Sequence, residues 1–101
     1  MYRHVFIGGF KEGTTEERMQ EAIAFHATFK SHIPSMVDQS VGRNIDFGAS
    51  YSPRMQMISV MDFKDKAGCD EFMKDTYHLG FGEIFKDCLD PSTWTVVDYE
   101  F

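Results

Sequence analysis

The order in which the hydrophobic period changes along this chain narrows its possible folds more than any other feature. Residues 2–10 alternate with a period of two, residues 14–33 repeat at helical spacing, and residues 36–45 and 53–63 alternate again. A helical run follows from Asp65 to about Asp75, then a shorter one at 82–89, and Thr93 to Phe101 returns to a period of two. With 101 residues there is room for one core, so residues 1–101 are read as a single domain. Strand, helix, strand, strand, helix, strand in one domain favours an α+β, ferredoxin-like βαββαβ fold, with a four-stranded antiparallel sheet and its helices on one face. In that arrangement the first strand is central and lies antiparallel beside the fourth. His4, near the start of one, then neighbours Asp98, near the end of the other.

The first strand is apolar on both faces: Arg3, Val5, Ile7 and Gly9 on one, His4, Phe6, Gly8 and Phe10 on the other. Gly8, lacking a side chain, leaves space beside His4. Thr14 followed by Glu17 reads as a capping box, and Met19, Ala22, Ile23, His26, Phe29 or Lys30, and Ile33 form the stripe of the first helix, which Pro34 stops. His26 therefore faces the sheet, as a core-edge histidine with one hydrogen bond or as part of a pocket wall. The second strand reads as a less buried edge, and Asp46 to Pro53 as a mobile loop. In the third strand Met55, Met57, Ser59 and Met61 share a face opposite Gln56, Ile58 and Val60, and such methionine density suits a pliable wall.

Asp65 is expected to cap the second helix, with Ala67, Cys69, Phe72 and Met73 on its inner side. The run Thr76-Tyr77-His78-Leu79-Gly80-Phe81-Gly82 reads as a break: two glycines two apart allow a sharp turn that fixes the His78 ring. A short helix from Gly82 to Leu89 is expected to turn Phe81, Ile84, Phe85 and Cys88 inward before Asp90-Pro91 ends it. The last strand places Trp94, Val96, Asp98 and Glu100 on one face, and Thr95, Val97 and Tyr99 on the other. Val5, Ile7, Ile58, Val60 and Val97 would occupy a bare sheet face, for which a homodimer is the simplest cover.

A formal charge of −6 argues against a nucleic-acid backbone or an anionic membrane as partner. No apolar run approaches the roughly 20 residues of a membrane span, and no signal peptide opens the chain. Cys69 and Cys88 match no metal spacing and are too few for a disulfide scaffold, so reduced thiols in a cytoplasmic protein are the expectation.

The opening Tyr-Arg-His-Val-Phe-Ile, the run from Phe10 to Glu17, Ile33-Pro34, Val41-Gly42-Arg43-Asn44 and the ending Val97-Asp98-Tyr99 together resemble the stress-responsive A/B barrel (Dabb) family of dimeric α/β barrels. The likeness spans essentially the whole chain. Within that family, His4 and His78-Leu79-Gly80-Phe81-Gly82 look most like the plant polyketide cyclases that make olivetolic acid. That resemblance implies a cofactor-free and metal-free enzyme performing an intramolecular aldol cyclisation in a cavity between helices and sheet. It implies catalytic roles for His78, as general base, and for His4, Asp98 and His26. His26 falls where the cyclases carry a pocket tyrosine, Met57 where they carry a histidine, and Phe72 where they carry a catalytic tyrosine. The loss of that phenol removes an oxyanion donor, which His4 or His26 is expected to supply. Phe6, Ile23, Met57, Phe72, Phe81, Trp94 and Val96 are the candidate walls for a hydrophobic, carbonyl-bearing substrate. Two other functions stand beside this one: a non-catalytic barrel serving stability or ligand holding, and a cofactor-free monooxygenase acting on phenols.

Overall fold

The structure is a computed structural model that describes residues 1–45 and 56–101. Its elements are β1 (Tyr2–Phe10), α1 (Glu16–His26), α2 (Phe29–His32), β2 (Met36–Arg43), β3 (Met57–Phe63), α3 (Lys66–Lys74), α4 (Thr76–Ile84) and β4 (Leu89–Glu100). The sheet runs β2-β3-β1-β4 with every pair antiparallel, the ferredoxin-like order expected from the sequence. β1 is central, and its register with β4 pairs His4 with Asp98 and Phe6 with Val96. β2 is an edge, as its weak pattern suggested. The expected loop from Asp46 to Pro53, and Met55, lie outside the described residues.

The core lies between the sheet and the helices. Phe10, Phe29, Ile33, Met57, Met61, Phe63 and Phe72 are almost wholly buried there. Burying a side chain of this size contributes about 1.5–3 kcal/mol each, which is what holds short helices on a sheet. The other sheet face is only partly covered: Val5, Ile7, Ile58 and Val60 are half-buried, and Val97 and Tyr99 are exposed.

Local structure departs from the sequence reading in four places. Thr15, not Thr14, caps α1, accepting from Arg18 N at 3.1 Å, while the Thr14 hydroxyl donates to the Lys11 carbonyl at 2.6 Å. The first helix divides at Ala27–Thr28, where the Thr28 hydroxyl donates to the Phe25 carbonyl at 2.6 Å. A hydroxyl bonded three residues back competes with the helical ladder. On α3 only Cys69 and Phe72 turn inward; Ala67 and Met73 are exposed.

The fourth difference matters most for the site. There is no glycine turn at 80–82: α4 runs unbroken from Thr76 to Ile84. The break comes earlier, at Asp75, whose backbone is extended (φ −63°, ψ 133°) and whose carboxylate accepts from Tyr77 N at 2.8 Å. An aspartate in this conformation caps a helix strongly. Among the described residues only Gly13 has a positive φ, so neither Gly80 nor Gly82 makes use of glycine's conformational freedom. Phe81 and Phe85 pack on Phe25 with ring centroids 6.1 and 5.6 Å away, and their burial offsets the helix cost of the two glycines. Ile84 is exposed, and β4 begins at Leu89, so Asp90 and Pro91 lie within its first residues.

Candidate active site

Three elements converge on one cavity of about 180 Å³: the β1–β4 half of the sheet, the end of α1, and α4. His4, Phe6 and Trp94 come from the sheet, His26 from α1, and His78, Leu79, Phe81 and Gly82 from α4; Met61 and Phe72 close it. His4, His26 and His78 therefore share one hollow. Of the apolar walls expected from sequence, Phe6, Phe72, Phe81 and Trp94 line it. Ile23, Met57 and Val96 do not. Met57 is sealed in the core at the start of β3, four residues before Met61, and Val96 is exposed on the edge strand β4.

Each histidine is held differently. His4 is buried, and its Nδ1 lies 2.6 Å from Asp98 Oδ1. A carboxylate only accepts, so Nδ1 carries the hydrogen and Nε2 is left as an acceptor. Tyr2, two residues before His4 on the same strand face, donates its hydroxyl to the other carboxylate oxygen, Asp98 Oδ2, at 2.6 Å. That hydrogen bond is the main reason the Tyr2 phenol is pushed up to about 12. The result is a chain, Tyr2–Asp98–His4, built across the β1–β4 register. Sequence reasoning found His4 and Asp98 but missed Tyr2. The signal for Tyr2 was its period-two spacing from His4.

His78 lies early in α4, its ring centroid 4.1 Å from that of Phe72 and 5.7 Å from that of Phe29. Burial lowers its pKa, and the carbonyls of Met73 and Phe72 offset part of that effect. Its Nδ1 is buried without a hydrogen-bond partner. Phe72 also meets the His4 ring edge-on at 5.8 Å, so one phenylalanine touches both histidines.

His26 is 3% exposed at the last turn of α1. Phe29, Phe81 and Phe6 enclose its ring at 4.3, 4.9 and 5.9 Å. Gln39 fixes its backbone by donating to the His26 carbonyl at 2.8 Å. Neither ring nitrogen has a partner, so the single satisfied hydrogen bond of a core-edge histidine is absent. Burial, reinforced by His78 and His4, pushes its pKa down to about 3, so the ring is neutral at physiological pH. A buried polar atom left unpaired costs about 1–3 kcal/mol, and native folds keep few of them. Here His26 Nδ1 and Nε2 and His78 Nδ1 all belong to residues lining the same hollow.

Among the described residues one trio has metal-ligand atoms grouped within 4.8 Å: His4, Cys69 and Asp98. In it His4 Nδ1 is already spent on Asp98, and burial together with the Asp98 charge pushes the Cys69 thiol up to about 11. The geometry is that of a hydrogen-bonded histidine–carboxylate pair with a protonated thiol beside it.

Residues 2–101 match the stress-responsive A/B barrel domain (Dabb) family. No curated protein matches the chain in sequence. Among solved structures, the Arabidopsis thaliana protein At3g17210 superposes with a TM-score of 0.83 at 25% identity, over 100% of this chain and 95% of that one. A dimeric, ferredoxin-like protein of unknown function from Bacteroides fragilis gives 0.80 at 15% identity, over 99% and 95% of the two chains. A hydroxynitrile lyase from Passiflora edulis gives 0.78 at 16% identity, over 97% and 90%. The last two likenesses carry the fold and nothing beyond it. Among the described residues no helix is long and apolar enough to cross a membrane.

Proposed function

The chain belongs to the stress-responsive A/B barrel family, and on that footing we propose that it is a cofactor-independent enzyme acting on a hydrophobic, carbonyl-bearing small molecule. Its reaction is proton abstraction beside a carbonyl followed by intramolecular aldol cyclisation, as in the olivetolic-acid-forming polyketide cyclases it resembles. One observation carries this reading: an apolar hollow in which His4, His26 and His78 meet, with buried ring nitrogens left unpaired.

His78 is the general base. Burial keeps its imidazole neutral near pH 7, the state a base must start in. It takes the proton on the carbon beside a carbonyl, and the C–H electron pair becomes the enolate. His26, neutral down to about pH 3, offers a ring N–H to the enolate oxygen and so replaces the phenol that Phe72 lacks. A neutral imidazole is a suitable donor here because it polarises the carbonyl without titrating in the working range. The enolate carbon then attacks a second carbonyl of the same chain. One C–C bond forms, and the resulting alkoxide recovers the proton from the His78 imidazolium. His4, oriented by Asp98, presents Nε2 to a substrate hydroxyl or enol.

The open hollow favours this chemistry over a barrel serving stability alone, which needs the same space filled by side chains. A monooxygenase reading is separated by oxygen uptake on phenolic substrates. The partly bare sheet face with Val97 and Tyr99 supports a homodimer, in keeping with relatives that are dimeric proteins.

The test is incubation with a panel of poly-β-keto thioesters, with products followed by mass spectrometry. The reading expects a cyclised isomer from at least one substrate, lost by about 10²–10⁴-fold in folded His78→Ala. Cyclisation at an equal rate in that variant, or none with any substrate, overturns it.

A further inference from the structure

We infer that the protein carries a site for a thiophilic divalent cation such as Zn2+, made by His4 Nδ1, Cys69 Sγ and the Asp98 carboxylate. These three donors come from β1, α3 and β4, and all lie within 4.8 Å of one another. Around a tetrahedral zinc, nitrogen, oxygen and sulfur donors stand about 3.3–3.6 Å apart. The His4–Asp98 contact of 2.6 Å therefore has to open by only about 0.7 Å. Imidazole, thiolate and carboxylate together suit zinc, whereas magnesium and calcium take oxygen donors.

The surroundings favour a cation. Among the described residues Asp98 has no lysine or arginine as ion-pair partner. Asp98 and Asp70 both help to hold the proton on the Cys69 thiol, against the smaller opposing effect of Lys66. The same negative field draws in a metal ion. Asp98 is the way in, since its side chain is 34% exposed while His4 and Cys69 are buried. Tyr2 donates to Asp98 Oδ2 at 2.6 Å, as outer hydrogen bonds commonly fix a ligating carboxylate. Neither Cys69 nor Asp98 lines the cavity, so the ion binds behind His4, and the site stands whether or not the proposed reaction does. Binding has a defined proton balance. The Cys69 thiol releases its proton to solvent, and the His4 hydrogen moves from Nδ1 to Nε2, so the ring stays neutral. Nε2 thereby changes from acceptor to donor.

The experiment titrates chelator-treated wild type, Cys69→Ser, Cys88→Ser, Asp98→Asn and Tyr2→Phe with Co2+ and Zn2+, with melting temperatures recorded alongside. Wild type and Cys88→Ser should bind one Co2+ per chain with a thiolate-to-cobalt charge-transfer band, and Cys69→Ser should lose the band. Wild type should melt higher as Zn2+ is added, because the ion ties α3 to the sheet. Tyr2→Phe should bind Zn2+ about 10–100-fold more weakly, and Asp98→Asn should weaken it at least as much. Nitrogen NMR of zinc-saturated wild type should show the His4 hydrogen on Nε2. A band that persists in Cys69→Ser or vanishes in Cys88→Ser means adventitious binding elsewhere and overturns the inference. So does a wild type that binds neither metal, or a His4 hydrogen that stays on Nδ1 with zinc bound. Should Cys69→Ser fail to fold, undiminished zinc affinity in Asp98→Asn overturns it as well.

Discussion

Replacing His26 with phenylalanine tests whether this ring is the buried, uncharged group that the structure describes. Its folded pKa, pushed down to about 3, lies below the ordinary value of 6.5, so the native state holds fewer protons than the unfolded chain in between. Stability from this site is full above the unfolded value and is lost as pH falls toward the folded one. The slope is a little over 1 kcal/mol per pH unit for one proton, which gives roughly 2 kcal/mol lost by about pH 5. Against a total of about 5–15 kcal/mol that loss is readily measured. At neutral pH the sign is not diagnostic. Removing two unpaired nitrogens gains about 1–3 kcal/mol each, while a larger ring among Phe6, Phe29 and Phe81 costs a similar amount. The slope is diagnostic. Urea unfolding of both proteins, followed by circular dichroism between about pH 7 and pH 5, gives two curves whose carboxylate and His78 contributions are shared. The wild-type curve should fall more steeply, by about 1 kcal/mol per pH unit. Parallel curves would show that His26 charges freely in the folded protein, and the argument for a neutral donor would fail.

Asp98→Asn should lower turnover by about 10–100-fold while leaving the fold intact, the worth of one hydrogen bond to a charged group. Nitrogen NMR of His4 should show the Nδ1–H tautomer losing its dominance, and an unchanged tautomer would refute the positioning role. Tyr2→Phe should weaken the same signature less, because Asp98 keeps its bond to His4. Phe72→Tyr places a phenolic donor beside His4 and His78 and should raise the cyclisation rate; no gain would mean that oxyanion stabilisation does not limit the reaction. Val97→Lys, on the partly bare sheet face, should shift the protein from dimer to monomer in light scattering, and an unaltered mass would remove that face as the interface.

The fold could be read from sequence because sheet register follows from period-two patterning. Once β1 and β4 are antiparallel neighbours, the pairing of His4 with Asp98 is nearly forced. The buried Met57-Ser59-Met61 face of β3 was legible for the same reason. The region around His78 was misread because two glycines imply a turn only when the backbone adopts angles that need them. Here Asp75 had already ended α3 and capped α4, so both glycines continue the helix. That error hid Leu79 and Gly82, which join His78 on the cavity wall only if the helix runs through. Ile23 and Met57 were misplaced because periodicity names a face and not how far along it a hollow extends. Tyr2 was missed because its register partner is Glu100, and its hydroxyl reaches Asp98 only diagonally across the two strands.

The central claim, that His78 removes a proton beside a carbonyl inside this cavity, is tested most directly by hydrogen–deuterium exchange at the α-carbon of a methyl ketone in D2O, followed by proton NMR. The account predicts protein-accelerated exchange whose acidic limb lies below about pH 6.5, since burial lowers the His78 pKa, and a loss of about 10²–10⁴-fold in His78→Ala. Exchange at the same rate with and without the His78 ring would contradict it.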